Sequence, residues 1–100
     1  MVEMKYVIDI DGTICNDTYG KYEKSKPNKI RIRKVNELYQ RGHTIIYFTA
    51  RGGTTKIDWT EFTKKQLKQW GCLYHQLILG KPEGNLYIDN KGMNAKEFFK

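Results

Sequence analysis

The chain has only two cysteines, two prolines and eleven acidic residues in 100, and no apolar run approaching the roughly 20 residues that span a bilayer. Each shortage excludes something. Cys15 and Cys72 stand at no metal-ligand spacing, so they read as small buried thiols of a reducing compartment rather than as a zinc site or a disulfide framework. No segment is of low complexity and none reads as an interdomain linker. Glu3, Lys5 and Asp9 interrupt the stretch Met1 to Ile10 where a secretory leader would be apolar, and the expected location is cytoplasmic, with no membrane partner. Acids are outnumbered by 18 lysines and arginines, leaving a formal charge of +7, which draws anionic partners, phosphate esters or nucleic acid, without choosing between them.

What is present suffices for one folded unit. Hydrophobic residues make up 39% of the chain and aromatic residues 13%, enough for a thin core and too much for a disordered chain. Tyr6 to Ile10 is a short apolar run that ends at Asp11-Gly12, a buried strand running into a turn. Asn16 to Asn28 has no helical period and reads as a loop or a small two-stranded flap. From Lys29 to Arg41, Ile32, Val35, Leu38 and Tyr39 share one stripe, and Gly42 follows as a helix stop. His43 to Phe48 has the β-branched and aromatic content of a central strand. Asp58 and Glu61 have the spacing of a capping box, Trp59, Phe62, Leu67 and Trp70 form a second stripe, and Gly71 ends it. A third strand is expected around His75 to Leu79 and a fourth at Leu86 to Ile88. Asn94 and Glu97 cap a last turn of helix bearing Phe98 and Phe99. The order β, α, β, α, β, β, α over residues 1–100 predicts a single-domain, Rossmann-like three-layer α/β sandwich with about four mainly parallel strands.

Ligands of such sheets bind beyond the carboxyl ends of the strands. Here those ends carry Asp9-Ile10-Asp11-Gly12-Thr13, Thr49-Ala50-Arg51-Gly52, Gly80-Lys81-Pro82 and Asp89-Asn90. Asp9 and Asp11, two apart on an extended backbone, present both carboxylates to one side while Ile8 and Ile10 pack on the other. Paired carboxylates suit a hard divalent cation, and Gly12 permits the sharp turn beyond them. Chance gives Asp-x-Asp-Gly-Thr in a chain this long about once in a thousand, so the run is a signal.

That run resembles the first motif of the haloacid dehalogenase (HAD) superfamily. Thr49 closing a strand, Lys81 before a proline and Asp89 closing the last strand resemble its other motifs in the same order, covering residues 6 to about 98. The spacing, without a long insertion after either of the first two motifs, is similar to that of the capless branch. The runs Tyr74-His75 to Gly80-Lys81-Pro82 and Tyr87-Ile88-Asp89-Asn90-Lys91 also resemble small hypothetical phosphatases of capsule or sugar-phosphate biosynthesis.

The resemblance implies a phosphatase that hydrolyses a small phosphate ester with Mg2+. Asp9 would be the nucleophile and Asp11 the acid and base, its backbone carbonyl a metal ligand; Thr49 would hydrogen-bond a phosphoryl oxygen and Lys81 would neutralise charge. Gly12, Thr13, Arg51 and Gly52 would line the substrate, and Asp89 with Asn90 would complete the metal site. Many relatives have a second acid where this chain has Asn90, and an amide there implies weaker magnesium binding. The exposed edges of so small a sheet add a homo-oligomer to the expected partners. Two rival readings stand beside this one: an open, basic site that removes a terminal phosphate from nucleic acid, and a degenerate relative kept for binding or assembly.

Each of these residues also has a plainer reading. Asp9 and Asp11 could form a solvated turn, Thr49 a cap, Lys81 a surface lysine and Asp89 an Asx turn. Arg51 either clamps a substrate anion or pairs with Asp58 on the surface. His43 and His75 read as structural, Trp59, Phe62 and Trp70 as core rather than a platform for bases, and Lys64, Lys65 and Lys68 as a solvated helix face.

Overall fold

β-branched and aromatic side chains favour extended backbone, and two such runs pair at the centre of the protein. In the computed structural model, which describes residues 3–53, 57–80 and 92–100, β1 (Lys5–Asp9) and β2 (Thr44–Phe48) lie parallel, with Ile8 opposite Tyr47 and Asp9 opposite Phe48. β3 (Gln76–Ile78) adds to the other side of β2, also parallel, giving the order β1-β2-β3. The expected strand at Leu86 to Ile88 lies outside the described residues. β2 is buried along Ile45, Ile46 and Tyr47, as its composition requires of a middle strand. β1 departs from the expectation of a wholly buried strand: Ile8 and Ile10 are buried, whereas Val7 points to the opposite face and is 56% exposed.

Parallel neighbours need long connections, and helices supply them. α1 (Lys29–Gln40) starts at Asn28, whose side chain accepts the Arg31 amide at 3.1 Å. α2 (Thr60–Gln69) joins β2 to β3. Both helices end in the same Schellman hydrogen-bond pattern. In α1, His43 N–H donates to Leu38 O and Gly42 N–H to Tyr39 O; in α2, Cys72 N–H donates to Leu67 O and Gly71 N–H to Lys68 O. The capping box proposed at Asp58 does not form: Asp58 accepts the Thr60 amide, while Glu61 leans towards Lys64 one turn on. α3 (Ala95–Phe98) is one turn, capped by Asn94 as expected and laid against α1, where Lys34 donates to the carbonyl of Phe98.

Ile8, Ile10 and Ile14 from the β1 end, Ile32 and Val35 from α1, Ile45 and Tyr47 from β2, and Leu67 from α2 pack into one core cluster. A radius of gyration of 13.3 Å matches the value of about 13 Å for one domain of 100 residues. The segment between β1 and α1 is tied at its neck, with Asn16 N–H donating to Lys26 O, Lys26 N–H donating to Asn16 Oδ1, and a bridge between Cys15 and Pro27. It is therefore a flap, carrying a 3-10 turn at Tyr22–Lys24.

Candidate active site at the carboxyl edge of the sheet

The register that sets Asp9 opposite Phe48 brings the segments after β1 and β2 together. Asp9 closes β1 half-buried, and its Oδ1 accepts the Ile10 amide at 2.9 Å. Ile10 is fully buried, which leaves Asp11, like Asp9, on the opposite side of the backbone, the alternation expected of Asp-x-Asp. The chain then turns at Gly12, whose φ of +83° favours a residue without a Cβ. Thr13 N–H donates back to Ile10 O, and Thr13 O accepts from Arg31 Nη1 at 3.0 Å, which fastens the turn to α1.

Asp11 is the centre of the described site. Its Oδ2 accepts from the Thr49 hydroxyl at 2.9 Å and from Arg51 Nε at 3.1 Å; its Oδ1 accepts from Arg51 Nη2 at 2.9 Å. Thr49 and Arg51 stand 38 and 40 residues away in sequence, so the fold unites the first two motifs here. Thr49 also accepts the Arg51 amide at 3.2 Å, and its one proton goes to Asp11 rather than outward as a phosphoryl ligand.

Neither reading of Arg51 describes its place. It does not pair with Asp58, whose side chain caps Thr60. It is not an open substrate clamp either, being 1% exposed with its fork closed on Asp11. Its Nη1 donates to Thr63 Oγ1 at 3.2 Å and to Gln66 Oε1 at 2.8 Å, and its guanidinium carbon lies 4.4 Å from the centre of the Tyr22 ring. Gln66 in turn donates through Nε2 to Tyr22 O at 2.8 Å. Sequence reasoning missed Thr63 and Gln66. Their signal was present, two polar residues within the apolar stripe of α2, and both are buried.

Gly52 follows with φ +82°, packed against the carbonyl of Ile57. Cys15 Sγ lies 3.7 Å from Asp11 Oδ1; burial first, and then the negative charge of Asp11, pushes its thiol up to about 12. Beside the turn runs a groove of about 690 Å3 whose lining includes Gly12, Thr13, Asn16, Lys26 and Lys29, large enough for a small organic ester. His43 and His75 stand at the other end of the sheet, where each Nδ1 accepts a backbone amide, from Met4 and Ile45, at 3.0 Å. They are structural, as expected. Trp59 packs edge-on against Tyr22 and Phe62, and Lys64, Lys65 and Lys68 are exposed.

Lys81, Asp89 and Asn90 lie outside the described residues. Among the described residues, no group of three histidines, cysteines or acids stands close enough to hold a metal ion. The donors at the β1 end are hard oxygens of the kind magnesium takes, but the Asp11 carboxylate is engaged by Arg51 and Thr49, leaving that residue its backbone oxygen for a cation.

No family model matches this chain, and no curated protein does. A crystal structure of an MCSG target from Vibrio cholerae matches it with a TM-score of 0.85 at 25% identity, over 96% of this chain and 87% of that one. The likeness is one of fold. It makes this chain a small α/β protein whose sheet, in the described residues, has three parallel strands. No helix among the described residues is long and apolar enough to cross a membrane.

Proposed function

We propose that the chain is a phosphomonoester hydrolase with a Rossmann-like, capless HAD fold, working through an aspartyl phosphate on Asp9. The observation that carries this reading is the 2.9 Å hydrogen bond from Thr49 to Asp11, which joins two separately placed motifs at the carboxyl ends of adjacent parallel strands, beside Asp9. A solvated turn would not need a buried threonine and a buried arginine aimed at its second acid.

In the proposed reaction an oxygen of Asp9 bonds to phosphorus as the bond to the leaving oxygen breaks, and Asp11 gives that oxygen a proton. Water then attacks the phosphorus, its proton returns to Asp11, and the bond between Asp9 and phosphorus breaks to release inorganic phosphate. Asp9, the backbone oxygen of Asp11, Asp89 and Asn90 are the residues that would hold Mg2+, and the ion, when bound, offsets the mutual repulsion of ester and carboxylate. Lys81 would add positive charge at the same place. In this geometry Thr49 serves Asp11, so its proposed part is to hold the acid rather than the phosphoryl group. The groove beside Gly12 and Thr13 adjoins the turn after Asp11 but is lined by neither Asp9 nor Asp11, so it is the resemblance that directs attention to sugar phosphates.

Turnover of p-nitrophenyl phosphate with added magnesium tests the proposal. The natural chain is expected to be active, and Asp9→Asn to lose at least about a thousandfold in kcat. Inactivity of both across a range of magnesium concentrations overturns the phosphatase reading, whereas equal activity of both means the nucleophile is elsewhere.

A further inference from the structure

Arg51 is a buried charge in a small domain, and such a charge is expensive to keep unless something requires it. For stability alone, apolar residues of similar volume often serve as well as a buried ion pair. What an arginine adds is a planar fork that meets both oxygens of one carboxylate and so fixes the plane in which they lie. The last torsion of an aspartate is otherwise broad and soft. Arg51 Nε and Nη2 meet the two oxygens of Asp11 at 3.1 and 2.9 Å, and Thr49 adds a third donor.

The fork itself is held from three sides. Thr63 and Gln66 fix Nη1 from α2, and the Tyr22 ring covers the guanidinium from the flap. Gln66 closes the circuit by donating to Tyr22 O. Asp11 retains 19% side-chain exposure whereas the Arg51 side chain has none, so of the pair only the acid reaches towards solvent.

We infer that Arg51 is a positioning residue that aims the Asp11 carboxylate at the leaving oxygen, and that the flap reinforces this aim through Tyr22 and Gln66. The inference rests on the phosphatase reading. It ties proton delivery to Tyr22 of the flap, 11 residues beyond Asp11 in sequence, through contacts made away from the reacting atoms. A residue that orients the proton donor matters in proportion to how badly the leaving group needs a proton.

The test compares two esters, p-nitrophenyl phosphate, whose leaving group departs without protonation, and glycerol 2-phosphate, whose alkoxide does not. In Arg51→Gln, kcat on glycerol 2-phosphate is expected to fall about 100-fold, and kcat on p-nitrophenyl phosphate less than about 5-fold. Arg51→Lys, which keeps the charge and loses the fork, should fall between the natural chain and Arg51→Gln on the alkyl ester. Gln66→Leu keeps the Arg51–Asp11 pair itself but removes one of the two α2 partners of Arg51 Nη1 and the bond to Tyr22 O, loosening both the fork and the flap; it should lose about 10-fold on the alkyl ester alone. Equal losses on both esters in a folded Arg51→Gln overturn the inference and leave the phosphatase standing. Should Arg51→Gln fail to fold, Gln66→Leu decides: a loss confined to the alkyl ester supports the inference, and a uniform loss or none overturns it. A natural chain inert on both esters sinks the phosphatase reading and this inference with it.

Discussion

Gly52 shows how tightly the segment after β2 is constrained. Its φ is +82°, and a methyl group there would strike the carbonyl oxygen of Ile57, a backbone atom with no rotamer to turn aside. Gly52→Ala is expected to cost at least about 2 kcal/mol and to lower the thermal midpoint by about 10 °C, measured by circular dichroism. A midpoint within about 2 °C of the natural chain would mean that the segment has another conformation available. In the sequence Gly52 only closes the run Thr49-Ala50-Arg51-Gly52 expected at a strand end, and nothing there reveals what it packs against. Arg51 marks the same boundary. Its nearest acid in the following sequence is Asp58, yet its partner is Asp11, 40 residues back on another strand. Pairing at that distance depends on strand register, which local spacing does not contain. Thr63 and Gln66 were legible only as misfits in an apolar stripe, because their reason for burial is the arginine they hold.

The helices were the most legible elements, because their ends are written in local chemistry. Asn28 caps α1, and Gly42 and Gly71 follow their helices in the positions that complete the Schellman bonds. The bounds of the three described strands fell within a residue of the apolar and β-branched runs, whereas Asp58 and Glu61 misled, since spacing alone does not decide whether a carboxylate reaches the third amide or the nearer one. α1 keeps one local conflict. Its first turn has no acid and begins with Lys29 and Arg31, placing positive charge at the positive end of the helix dipole. Lys29 is exposed, so Lys29→Glu should stabilise the fold by about 0.3 to 1 kcal/mol at low salt, an effect that fades as salt is added. Urea unfolding at two ionic strengths measures it. Destabilisation at low salt would show that Lys29 has a partner worth more than the dipole.

At the scale of the molecule, the alternation of strands and helices was enough to foresee a parallel sheet, because crossovers of this length leave few other topologies. The convergence of Asp9, Asp11 and Thr49 at one edge of that sheet follows from the topology and from the motifs closing their strands. The core has a further consequence, for alkaline pH. Cys15 and Cys72 are buried, and burial pushes both thiols from about 9 up to about 12; the buried Tyr47 phenol is raised for the same reason. A group whose pKa is higher folded than unfolded favours the fold while protonated in both states, and that advantage is lost once the unfolded chain can release the proton and the folded chain cannot. Stability should therefore hold steady from neutral pH to about 9 and fall between about 9 and 12. Urea midpoints at pH 7.5, 9 and 10.5 measure the fall, and the double variant Cys15→Ala with Cys72→Ala separates the thiols from the phenol and from the general loss of lysine charge. Its midpoint should decline less steeply above pH 9 than that of the natural chain, whatever its stability at pH 7.5. Parallel declines would mean that the thiolates are accommodated in the folded state, against the dry packing around Ile10, Ile14 and Leu67 that these two cysteines complete.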